Sequence, residues 1–402
     1  MMQLSPTLDG RAAWTGRELE RSGDWIRVLD DAQRQEIAAA LDYAQRRGRC
    51  FPNVTRDDFP LPRTAPLLAD IAEELENGRG AVRLRGLDAA RFTEDELRQV
   101  FWGIGGHLGT ALYQSAKGEM MGEVRDETRL ATPTYEPVEP GKVASSRSRT
   151  RGTGPLRWHT DRCDVIALLC ARNARAGGVS KLASIVTIYS EIGRRRPDLL
   201  ALLCQDYWRS RPKDEDGTGV ERAFALPVFS VLDGKLTCQY SRTYVEQAQE
   251  FADVPRLTAA QNEALDLLAA VAEETCLHCP FEPGDIQLLN NHVIFHGRTA
   301  YEDDAGTRQE RLLLRLWLAV PNSRRLPAEH AVLWGSTEPG AIRGGVVQQA
   351  TGARAIRASN ARHRLPLPLR HRSPPPLREP SRRGAPALPP LRSAPARQVH
   401  HL

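Results

Sequence analysis

Apolar positions recur at helical spacing in two early stretches of the chain. Over residues 31–47, Ile37, Leu41 and Ala44 share a face, and over 66–75, Leu67, Ile71 and Leu75 do the same, which predicts two amphipathic helices. The period then shortens. Residues 80–87 alternate apolar and basic side chains as a half-buried strand does, and Thr93 with Glu96 forms a capping box that opens a helix through Val100. The glycines that follow, Gly103, Gly105, Gly106 and Gly109, read as a turn; without a strand–turn–helix frame they do not make a dinucleotide loop.

Beyond residue 160, short apolar runs dominate. Runs 163–170 and 181–186 predict buried strands, and runs 226–232 and 236–241 flank Asp233-Gly234, a dipeptide that reaches positive φ cheaply and so predicts a tight hairpin. Thr258 and Gln261 cap a helix reaching Thr275, and further strands are expected at 278–282, 285–290 and 311–319. A helical segment over 1–79 thus precedes a core at 80–335 made of short strands without regular βα alternation. The expected fold class is α+β with a mainly β core, two antiparallel sheets flanked by helices.

Composition changes the picture at the C-terminus. After a connecting segment at 336–353, residues 354–402 hold eleven arginines and one acid, Glu379, with runs of proline and no periodicity. Such a stretch buries too little apolar surface to offset its ordering entropy, which predicts a disordered tail. The formal charge of +5 therefore resides in the tail, and the body is slightly acidic. This argues against a nucleic-acid surface on the folded part, which carries no nucleic-acid-binding motif. No stretch approaches the roughly 18–20 apolar residues of a membrane span and no secretory pattern opens the chain, so a cytoplasmic location without a membrane partner is expected. Seven scattered cysteines predict reduced thiols, and Cys276 and Cys279 lack a second pair at zinc-finger spacing.

The candidate chemistry begins at His159-Thr160-Asp161. Positions i and i+2 of an extended chain project to one side, so this imidazole and carboxylate can share a metal ion. His296, from a later strand, would complete a two-histidine, one-carboxylate set that leaves coordination positions open for a chelating co-substrate and dioxygen. Arg311 and Arg315 share parity with Leu313 and Trp317, while Leu312, Leu314 and Leu316 face the other way. An arginine turned into a sheet interior demands an anion.

Together, Trp158-His159-Thr160-Asp161, Gly177-Gly178-Val179-Ser180, Gly284-Asp285, His296-Gly297-Arg298, Arg311 and Arg315 resemble the TauD/TfdA dioxygenases in order and spacing over residues 80–335. The resemblance implies a double-stranded β-helix, or jelly roll, with Fe(II) held by His159, Asp161 and His296. It further implies 2-oxoglutarate on Arg311, with Ser180 standing where many members have threonine, and Arg315 turned toward an anionic substrate. The implied reaction consumes 2-oxoglutarate and O2, releases succinate and CO2, and hydroxylates or desaturates an unactivated C–H of a small, carboxylate-bearing metabolite. Related halogenases have a small residue at the position of Asp161, which favours hydroxylation or desaturation here. Arg125 and a lid at 139–154 are further candidates for substrate contact. Two rival readings stand beside this one: a non-catalytic binding protein that kept the fold, and a nucleic-acid-associated demethylase using the tail. A homo-oligomer is compatible with all three.

Overall fold

Reciprocal caps start several helices where the sequence supplies them. Asp30 and Gln33 open Asp31–Arg46, Thr93 and Glu96 open Glu94–Leu108, and Thr258 and Gln261 open Ala259–Thr275. The computed structural model describes residues 7–128, 130, 146–212, 221–304, 306–307 and 310–346. The tail at 354–402, on which the nucleic-acid reading depends, lies outside the described residues, as does 139–145 of the expected lid. Within that lid, Ser146–Thr150 forms a short helix.

Two local expectations are corrected. Glu94–Leu108 continues through the glycines read as a turn, because those glycines admit close packing. A Cβ at Gly103 would lie 2.4 Å from the Phe59 ring, and one at Gly105 would lie 2.7 Å from Leu316 Cδ1. The run at 181–186 is strand only as far as Ser184, whose hydroxyl accepts from Thr187 N–H at 3.0 Å and caps the helix Ile185–Arg195. The hairpin falls where expected: Phe229–Leu232 pairs with Lys235–Cys238 around Asp233 at φ 51° and Gly234 at φ 74°.

A seven-stranded sheet runs in the order Ile26–Val28, Ala81–Arg85, Ile286–Asn290, Val165–Arg172, Leu312–Ala319, Thr110–Ala111, with Gly122–Val124 also on Leu312–Ala319. Its pairs are antiparallel except the first, so the N-terminal segment contributes an edge strand as well as helices. A four-stranded antiparallel sheet follows the order Leu277–Cys279, Ser180–Ser184, Ile294–Arg298, Leu156–His159.

Strand parity decides what each face covers. Leu312, Leu314, Leu316 and Leu318 pack with Leu41, Ile71 and Phe101 of the helices, while Leu313 and Trp317 join Trp158, Leu182 and Phe295 of the four-stranded sheet. Each fully buried leucine contributes about 1.5–3 kcal/mol on this account. The wide seven-stranded sheet is thereby held between a helical layer and the second sheet. Beyond residue 335 the chain stays attached: the buried Arg343 guanidinium lies 2.8 Å from Asp164 Oδ1, and Gly345 N–H donates to Arg162 O at 2.7 Å. Among the described residues no helix is long and apolar enough to cross a membrane.

Candidate active site

Antiparallel pairing sets His159 directly opposite His296, with ring centroids 4.1 Å apart. Asp161, just beyond the end of its strand, is fixed by two neighbours. Its backbone N–H donates to Asn291 Oδ1 and its Oδ2 accepts from Trp317 Nε1, both at 3.0 Å. The carboxylate consequently lies 3.7 Å from Nε2 of each histidine. All three side chains are buried, and their ligand atoms lie within 4.8 Å of one another.

Hydrogen bonding and burial fix the protonation. His159 Nδ1 lies 2.9 Å from the Arg157 carbonyl, which can only accept, so Nδ1 donates there and Nε2 is the nitrogen turned toward Asp161. Burial, with His159 and Arg315 nearby, pushes His296 down to about 3 against the pull of Asp161, leaving a neutral imidazole. Burial would raise Asp161, yet Arg315, the two imidazoles and the indole N–H together hold it below the usual carboxylate range. Two imidazole Nε2 atoms and one carboxylate on a common point suit a divalent first-row cation. A second grouping, Glu273, Cys276 and His278, lies toward the surface, where Glu273 is engaged by Lys181 at 2.6 Å and by the Trp158 indole.

Arg311 stands at the head of Leu312–Ala319 and is 3 % exposed. Its guanidinium passes Gly178, at φ +68°, where a Cβ would come within 3.2 Å of Nη1. Among the described residues no carboxylate pairs with that guanidinium, whose Nε has no hydrogen-bond partner there. Burying such a charge without an anion is costly. Ser180 sits opposite Arg298 in the register, and its hydroxyl accepts from Gln287 Nε2 at 3.1 Å. Arg315 donates from Nε to Gln114 Oε1 at 2.7 Å and lies 5.3 Å from the Trp317 ring centroid. Arg125, expected toward substrate, pairs instead with Glu123 at 3.4 Å.

A family model described as taurine catabolism dioxygenase TauD, TfdA family matches residues 46–317. The chain belongs to this family. As a TauD/TfdA protein it is an Fe(II)- and 2-oxoglutarate-dependent dioxygenase acting with O2, and the non-catalytic reading falls. It is 32 % identical over 344 residues to FR-33289 synthase of Streptomyces rubellomurinus, covering 83 % of this chain and 96 % of that one. A taurine hydroxylase-like protein of Stachybotrys chartarum is 30 % identical over 320 residues, covering 78 % of this chain and 80 % of its own. The fold matches that of asparagine oxygenase, solved with Fe(II), 3-hydroxyasparagine and succinate, at a TM-score of 0.53 and 17 % identity, over 76 % of this chain and 98 % of that one.

Sequence reasoning about this TauD/TfdA chain passed over Asn291 and Gln114, whose partners are 130 and 201 positions away, so no local pattern marks them. Trp317 was legible as inward-facing, but its bond to Asp161 was not. Arg298 carried a usable signal: it lies two residues from His296 on one strand and therefore projects to the same side.

Proposed function

We propose that the two sheets form a double-stranded β-helix in which His159, Asp161 and His296 bind Fe(II), Arg311 and Ser180 bind 2-oxoglutarate, and Arg315 receives the anionic group of a small carboxylate-bearing substrate. The course of the chain supports the β-helix. Strands Leu156–His159, Val165–Arg172, Ser180–Ser184, Ile286–Asn290, Ile294–Arg298 and Leu312–Ala319 alternate between the two sheets. The observation that carries the functional reading is the 3.7 Å spacing of Asp161 from each imidazole. Two donors bonded to one metal at about 2.1 Å can be no more than about 4.2 Å apart, so the residues fit the ion. Iron with 2-oxoglutarate and O2 supplies the oxidising power when bound.

The protein's own groups orient and select. Arg311 offers a planar fork to the distal carboxylate of 2-oxoglutarate. Arg315, held by Gln114, offers its remaining N–H groups to a substrate anion, and among the described residues no carboxylate pairs with it. The 3-hydroxyasparagine held by asparagine oxygenase supports an amino-acid-like substrate.

Anaerobic titration of Fe(II) and 2-oxoglutarate into the protein should give a weak visible charge-transfer band that His296→Ala abolishes; a wild-type protein without the band overturns the assignment. Succinate release across a panel of amino acids and other metabolites should then rise with a carboxylate-bearing compound. Arg315→Leu should weaken that stimulation about tenfold or more, the scale of one charge-assisted bidentate contact.

A further inference from the structure

Next to Arg311 lies a second buried guanidinium that the metal and co-substrate assignments leave unused. Arg298 is 4 % exposed; its Nη2 donates to Gly152 O at 2.8 Å and to Gly154 O at 2.6 Å. Its Nε and Nη1, the Tyr301 hydroxyl and Arg311 Nε are all buried, and among the described residues none has a well-formed hydrogen bond, the rest of the Arg298 guanidinium and the Tyr301 hydroxyl facing only each other. They belong to one cluster. Arg298 Cζ lies 4.5 Å and Arg311 Cζ 5.5 Å from the centroid of the same Tyr301 ring. Burial, then the neighbouring Arg311 charge, pushes Arg298 down to about 10, while burial pushes Tyr301 up to about 12, so the phenol keeps the proton it can donate.

Two buried cations around one phenol are unfavourable unless an anion lies among them. No carboxylate of the described chain pairs with either guanidinium, and nearby Asp303 accepts from the Arg311 backbone N–H at 2.9 Å. Arg298 is turned toward the metal side by strand geometry. It shares parity with His296, and its register partner Ser180 bonds to Gln287 of the opposite sheet. We propose that Arg298 and Tyr301 complete the co-substrate site, their guanidinium and phenol donating to the same distal carboxylate that Arg311 holds. This rests on the reading of Arg311 given above. A carboxylate offers about four lone-pair sites, enough for a bidentate Arg311 plus one donor from each of the other two.

The test is anaerobic titration of the Fe(II)-loaded full chain with 2-oxoglutarate and, separately, with 2-oxopentanoate, which has the same five-carbon 2-oxo acid skeleton with a methyl in place of the distal carboxylate. The charge-transfer band reports affinity without turnover. Arg298→Lys and Tyr301→Phe should each weaken 2-oxoglutarate about tenfold, as expected for losing a hydrogen bond to a charged group, and leave 2-oxopentanoate unchanged. Tyr301→Phe removes a single hydroxyl and carries the test if Arg298→Lys does not fold. Equal weakening of both acids would mean that these residues only support the loop at Gly152–Gly154, and unchanged affinity for both would mean that they make no contact; either overturns the proposal. Arg311→Leu separates the levels. If it alone loses 2-oxoglutarate selectively, only the present inference fails; if it too has no effect, the Arg311 reading fails and this one with it.

Discussion

At the scale of single residues, the site depends on how a carboxylate just past a strand end is held between two imidazoles. Asp161 depends on Asn291 from behind and on the Trp317 indole N–H at 3.0 Å. A hydrogen bond to a metal-ligating carboxylate sets its orientation and charge density. Trp317→Phe removes that donor along with the second ring of a buried indole, so Fe(II) affinity should fall about tenfold together with a cavity cost of about 1–3 kcal/mol in stability. Direct titration of Fe(II), followed by the 2-oxoglutarate band, measures this, and an undiminished affinity would show that the indole does not orient Asp161. The sequence exposed His159 with Asp161 through their i, i+2 spacing, His296 through its motif, and the inward parity of Arg311 and Arg315 through alternation along the chain. Asn291, Gln114 and the Trp317 bond stayed hidden because they are products of tertiary proximity alone.

At the scale of elements, local signals worked where the determinant was local. The capping boxes at Thr93 and Thr258 and the Asp233-Gly234 turn each name their own hydrogen bonds or dihedrals. The glycines at 103–109 misled because their purpose lies on other elements. Helix Glu94–Leu108 therefore makes a paired prediction with opposite signs. Gly103→Ala would drive a methyl to within 2.4 Å of the Phe59 ring, whereas at Gly106 nothing lies within 4 Å. Overpacking at Gly103 should cost about 1–3 kcal/mol. Gly106→Ala should instead gain about 0.5–1 kcal/mol from helix propensity. Urea unfolding of both variants decides: two changes of the same sign would mean that packing against Phe59 does not govern the helix.

At the scale of the whole molecule, a buried polar network gathers distant parts of the chain around Asp164. Asp164 accepts from His292 Nε2 and Arg343 Nε, each at 2.9 Å; Arg343 Nη2 donates to Arg324 O at 2.7 Å, and Arg324 Nε reaches Glu76 at 3.1 Å. His292 Nδ1 lies 2.7 Å from the Thr237 hydroxyl, which can donate to a neutral ring. Burial, joined by the Arg324 and Arg343 charges, outweighs Asp164 and lowers His292. His330, beside Ser230, is pushed down to about 3 by burial, then by His292, Arg209 and Arg343. Both histidines thus bind protons less readily folded than unfolded, where the value is about 6.5. Their contribution is complete above that pH and is lost as the pH falls below it, at about 1.4 kcal/mol per pH unit for His330, with His292 adding in the same direction. Asp164, also lowered, adds its own loss only below about pH 3.9, where the unfolded carboxyl takes up a proton. The thermal midpoint of the metal-free protein should therefore drop steadily between about pH 6.5 and about pH 5, and His330→Gln should make that slope shallower. A midpoint that stays level until carboxylates titrate would mean that these histidines are charged in the fold, and that Arg343 and Arg324 do not surround them as described.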